Sequence, residues 1–147
     1  MMRHSLAIGA ALALASAAHA SKAETWVPVG LDRGRQVAVN VDSVPANKTA
    51  PFTAPLASFP QGWSANSHRY TVAVAEFDCS ARTRVLKFVS QFSSRRDPVT
   101  RPVNQRPLGD ADPAVAAQLA VVCGDPSAVG RGRQFNHLGE FGDYLRH

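Results

Sequence analysis

Between residues 70 and 92 polar and apolar positions alternate with a period of two, and the alternation breaks once. Tyr-Thr-Val-Ala-Val-Ala-Glu-Phe-Asp-Cys runs to Cys79, and Arg-Val-Leu-Lys-Phe-Val-Ser-Gln-Phe runs to Phe92. Period-two alternation rich in β-branched and aromatic residues predicts strands. The break at 80–83 is short enough to close an antiparallel hairpin. The first strand sets Thr71, Ala73, Ala75, Phe77 and Cys79 on one face, with Tyr70, Val72, Val74, Glu76 and Asp78 on the other. The second sets Leu86, Phe88 and Phe92 against Thr83, Val85, Lys87 and Val89.

Two earlier runs repeat the pattern more weakly. Residues 25–29 read as a strand that is bulged or lies at an edge, because Pro28 donates no ladder hydrogen bond. After a polar turn at 30–35, residues 36–42 form a second strand. Val37, Val39 and Val41 make its buried face and are expected to pack on Trp26. Past the hairpin, Asp97-Pro98 marks a turn, 99–103 a short outer strand limited by Pro102, and 107–111 a loop. Asp112-Pro113 then has the chemistry of a helix start, an N-cap carboxylate followed by proline at the first helical position. Val115, Leu119, Val122 and Cys123 follow at helical spacing, Gly124 caps the end and Pro126 stops continuation.

Two segments break the pattern. Residues 46–67 carry Pro51, Pro55 and Pro60 among Phe52, Leu56, Phe59 and Trp63. No strand is predicted there. The segment is expected to fold back as a flap that buries its large apolar groups, the alternative being an exposed binding surface. Residues 127–147 hold Gly130, Gly132, Gly139 and Gly142, while Phe135, Leu138, Phe141 and Leu145 keep no period. They read as a flexible Gly-rich C-terminal tail with at most a short helical turn. The fold class is α+β: a small antiparallel sheet of about five to six strands with one C-terminal helix docked on it.

Composition adds a compartment. Arg3 and His4 precede an apolar run from 6 to 18, and Ala18-His19-Ala20 offers small residues at the two positions a signal peptidase reads. The run is too short for a membrane span, which needs about 20 residues. Residues 1–20 are therefore expected to be a secretory signal, leaving 127 of the 147 residues and no integral membrane segment. The net charge of +5 falls to +4 because Arg3 leaves with the signal. The excess is carried by arginines scattered in pairs over several loops, which argues against one polyanion patch; no nucleic-acid interface is expected. Cys79 and Cys123 are the two cysteines, and two thiols in an oxidising compartment ordinarily pair. A bridge between them would pin helix to hairpin and remove roughly 4 kcal/mol of unfolded-state entropy. A metal site is the alternative, but no His or acidic residue stands at ligand spacing from either Cys.

Catalytic patterns are lacking. His68 and His137 are the histidines of the mature chain outside its last residue, and neither has the setting of a triad base. Asp42, Glu76 and Asp78 could form a carboxylate pair across the sheet, although Asp78 is more simply a strand-end turn residue. No phosphate loop or zinc signature is present, and no cofactor is expected.

In order and local pattern the chain resembles the surface-adhesin protein E-like domain family of exported bacterial proteins. The resemblance rests on the Trp26 strand, Val41-Asp42-Ser43-Val44, the strand end Phe77-Asp78-Cys79 with Arg82 after it, and Val121-Val122-Cys123. It covers residues 24–124. It implies an antiparallel sheet, a C-terminal helix and a Cys–Cys bridge, and a domain spanning 21–126. It also implies adhesin-like contact with host matrix proteins. The expected function is a non-enzymatic binding module, periplasmic or at the cell surface, meeting a host or envelope protein or a second copy of itself. Tyr70, Val72 and Val74 are the candidate contact face, with Arg95 and Arg96 at its rim; the strand edge at Trp26 and Pro28 is a further candidate. The competing expectations are a periplasmic structural protein without a host ligand, and a small hydrolase.

Overall fold

The computed structural model describes residues 24–61, 69–93, 96–124, 134–136 and 138–145. The expected signal peptide lies outside them, as do Trp63, His68, Arg95 and His137. Among the described residues, seven strands form one antiparallel sheet: β1 (Trp26–Asp32), β2 (Arg35–Asn40), β3 (Phe52–Pro60), β4 (Tyr70–Asp78), β5 (Thr83–Ser93), β6 (Arg96–Pro102) and β7 (Leu108–Gly109). The first six follow one another in space as a meander, and β7 pairs with the start of β5 beyond the end of β6. Helix α1 spans Pro113–Cys123 and helix α2 spans Leu138–Tyr144.

Local chemistry explains most boundaries. Arg33 and Gly34 both have positive φ, 51° and 75°, the geometry of a two-residue hairpin turn. β1 therefore runs to Asp32 and the turn is shorter than 30–35. Val29 is left over between the pairs Pro28↔Ala38 and Gly30↔Val37, so Pro28 sits at a bulge on an edge strand, as its missing N–H requires. β5 runs to Ser93 and β6 begins at Arg96, so Asp97 and Pro98 lie inside a longer outer strand. Asp112 caps α1 by accepting from the Ala114 and Val115 amides at 2.9 and 3.2 Å. Cys79 and Cys123 are bridged, with Cα atoms 5.5 Å apart, fixing the end of the helix to the β4–β5 turn.

The 46–67 segment is where the sequence reading fails most clearly. Its central part is β3, an interior strand paired with β2 and β4. Pro55 is tolerated because it lies one residue past the last β2–β3 pair, Val39↔Leu56, where no ladder bond remains for it to donate. The expected burial of Leu56 and Phe59 holds, but through sheet formation and not through a flap.

Both faces of the sheet are covered in part. On one, α1 buries Val115, Leu119 and Val122 against Val37, Val39, Leu56, Ala73, Ala75 and Phe77. On the other, Phe135 and Phe141 pack with Trp26, Ala38, Ala57 and Phe59, flanked by Leu138 and Leu145. Trp26 thus belongs to the face opposite Val37 and Val39, which corrects the expectation that it packs on them. The reading of 127–147 as a flexible tail is likewise corrected for its described part: Phe141 is fully buried, and Phe135 exchanges backbone hydrogen bonds with Trp26 at 2.8 and 3.0 Å.

Candidate partner-binding face

A β-bulge decides which side chains share the face opposite α1. Val74 pairs with Phe88 and Ala75 with Leu86, so Lys87 is the extra residue. Leu86 and Val89 both turn toward α1, while Phe88 joins Val74 on the opposite face. The expectation that Leu86 and Phe88 share a face is corrected by this one residue, which period-two counting cannot detect.

The candidate residues Tyr70, Val72 and Val74 occupy the face opposite α1, as expected, and do not share one environment. The Tyr70 ring stacks on Phe59 and Phe92, with centroids 5.1 and 4.8 Å apart. This desolvation raises its phenol above the ordinary pKa of 10.0. Val72 is half-buried beside the C-terminal residues. Val74 lies beyond them, in a row that crosses four strands: Pro55, Val74, Phe88 and Pro102. Exposure rises along this row and its extension into β1, from Trp26 at 2% to Phe88 at 49%. Lys87 and Glu76 form an exposed ion pair at 3.1 Å on one side of the row, and the Ser90 and Thr100 hydroxyls meet at 2.7 Å on the other. Arg96 begins β6 and is exposed; Arg95 is outside the described residues.

The strand edges offer less than their position implies. Trp26 directs its N–H and C=O to Phe135, Pro28 has no N–H, and the Glu24 amide donates to Asn136. The β1 edge named as a candidate is therefore partly occupied. On β6, Val103 donates to Lys87, so alternate residues inward of it face β5 and Pro102, Thr100 and Pro98 face out. Two of those three positions are prolines, which blunts the edge against strand addition.

The three carboxylates considered for a catalytic pair are not brought together. Asp42 accepts from the Thr25 amide, Asp78 from the Ala81 amide, and Glu76 holds Lys87. Sequence reasoning missed Arg84, which is 3% exposed on the α1 side. It donates to Gln118 Oε1 at 2.8 Å and lies 3.4 Å from Asp32 Oδ2, while its Nε has no partner among the described residues. Its position opposite Phe77 in the hairpin register was the available signal. Neither a family model, nor a curated protein, nor a solved structure matches the chain. Among the described residues no helix is long and apolar enough to cross a membrane.

Proposed function

We propose that the chain is an exported, non-enzymatic binding module that meets a protein partner through the uncovered half of the face opposite α1. The observation that supports this is the row Pro55–Val74–Phe88–Pro102, apolar across four strands and open toward β6. An apolar centre bordered by an ion pair and hydroxyls is the anatomy of a protein interface. With both strand edges blunted, a face contact is favoured over strand addition. The reading agrees with the family resemblance, in which the partner is a matrix protein at the host surface; an envelope protein is the partner if the chain stays in the periplasm. A second copy of the chain is the remaining protein partner. The disulfide is consistent with export. A hydrolase is disfavoured by the separate engagement of Asp42, Glu76 and Asp78.

The test is to replace Val74 and Phe88 with Asp, separately. Oligomeric mass is read by light scattering, and binding to immobilised matrix proteins and to solubilised envelope proteins is compared with the parent. Loss of partner or of dimer, in variants whose circular dichroism is unchanged, is the expected result. Unchanged mass and unchanged binding would remove this face from consideration.

A further inference from the structure

The α1-bearing face has a second, chemically different surface, at the end of the sheet away from the disulfide. There the side chains that follow one another across the strands are polar. Ser58 pairs with Thr71, and Thr71 with Gln91, so the three form one row on β3, β4 and β5. Their neighbours on the same face are Arg35 at the start of β2 and Arg96 and Arg101 on β6, opposite Ser93 and Val89. The Arg35 guanidinium donates to Ser58 Oγ and to the Ser58 carbonyl, both at 3.0 Å, and Ser58 Oγ lies 2.6 Å from Thr71 Oγ1. Arg35 is thus held flat on the row and is partly buried.

Among the described residues no carboxylate pairs with it. Its cross-strand partner Asp32 turns its carboxylate to Arg84 instead. Nor does any carboxylate pair with Arg96 or Arg101 among the described residues. Asp97, beside Arg96, is the acidic residue of this edge. A partly buried cation without a counter-ion carries a desolvation penalty, and burial lowers the Arg35 pKa accordingly.

We propose that this row binds an acidic polysaccharide, its sulfate or carboxylate groups on the arginines and its hydroxyls on Ser58, Thr71 and Gln91. Arginine forks match planar and tetrahedral oxyanions in a bidentate manner. From β2 to β6 the row crosses four strand spacings, about 19 Å, the reach of an oligosaccharide and not of a single ion. A protein partner would want an apolar centre, and among the described residues Val99 is the one large apolar side chain exposed here. A single-stranded nucleic acid would want stacking rings, but Tyr70 and Phe92 lie on the opposite face.

Binding of a heparin octasaccharide and of an oligogalacturonate is measured by calorimetry on the full mature chain at low and moderate salt. The first probe presents sulfates and the second carboxylates alone. Uncharged dextran and poly-glutamate are the controls. Either acidic sugar should bind, more weakly as salt rises, and Arg35→Gln or Arg101→Gln should each weaken it roughly tenfold through the lost charge-assisted bonds. The Arg101 side chain makes no hydrogen bond among the described residues, so its variant keeps the test valid if Arg35→Gln disturbs β2. Arg82→Gln, whose parent residue is paired with Asp110 in the β4–β5 turn, should change nothing, and neither should Phe88→Asp. Absence of binding at low salt, equal loss with Arg82→Gln, or equal binding of dextran would overturn the proposal. Equal binding of poly-glutamate would overturn the polysaccharide assignment.

Discussion

Gly124 shows how one position can be required for space and not for backbone freedom. It ends α1 with φ −76°, a value any residue adopts, so the usual left-handed cap is absent. A Cβ built there would lie 2.3 Å from the Ala120 carbonyl oxygen. The Gly124 carbonyl in turn accepts from Lys48 Nζ at 2.9 Å, tying the helix end to the segment before β3. Gly124→Ala must shift this turn beside the disulfide, and a loss of about 1–3 kcal/mol is expected in urea unfolding, as for other overpacked sites. Tyr70 supplies a second test at this scale. Its raised pKa means that the folded state favours the neutral phenol. That contribution is fully present below pH 10 and is lost as pH rises through the raised value. In a Tyr144→Phe variant, which leaves Tyr70 as the one tyrosine of the sequence, tyrosinate absorbance should appear above pH 10 and accompany loss of stability. Ionisation at the ordinary value would mean that the Phe59–Tyr70–Phe92 stack is open in solution.

At the scale of elements, legibility followed the amount of local signal. The β4–β5 hairpin and α1 were readable because each carries its own period and its own punctuation. The disulfide was readable because two thiols in a chain expected to be exported leave few alternatives. β3 was not, because Pro51, Pro55 and Pro60 are the residues that argue against an interior strand; only the register, with the β2–β3 ladder ending at Leu56, makes room for Pro55. For the candidate site, Tyr70, Val72 and Val74 were placed on the right face. Phe88 was not, since the bulge at Lys87 leaves no trace in composition. The C-terminal segment was misread for a different reason: its apolar residues meet the sheet from a bridge and a seven-residue helix, so no single period links Phe135 to Phe141. The consequence is testable. Deleting everything after Asp125 should expose Trp26 and Phe59, raise binding of a hydrophobic dye and lower the melting temperature by many degrees. Phe141→Ala alone should cost about 3–5 kcal/mol. A truncated chain that melts like the parent would return this segment to the status of a tail.

For the molecule as a whole, the informative contact joins two corners of the sheet that the meander places far apart. Asp32 ends β1 beside the β2 hairpin turn, and Arg84 begins β5 at the opposite end of the ladder, with three strands between them. Their approach to 3.4 Å requires the sheet to curl around α1, in the direction that strand twist allows. Gln118, on the buried stripe of α1, completes the clip with its amide oxygen 2.8 Å from Arg84 Nη1. A guanidinium with an unpartnered Nε is a poor way to gain stability, since burial of the charge offsets much of the attraction. Its expected effect is on shape, because it ties the two corners of the sheet to each other and to α1. Arg84→Met should leave the Gln118 and Asp32 acceptors unpaired and destabilise by about 1–3 kcal/mol in urea. Adding Gln118→Leu removes one of those acceptors, and the double variant should recover part of the loss. A recovered double variant that also loses partner binding would locate the role of the clip in curvature. One that binds as the parent does would leave α1 and the disulfide sufficient to hold the two corners together.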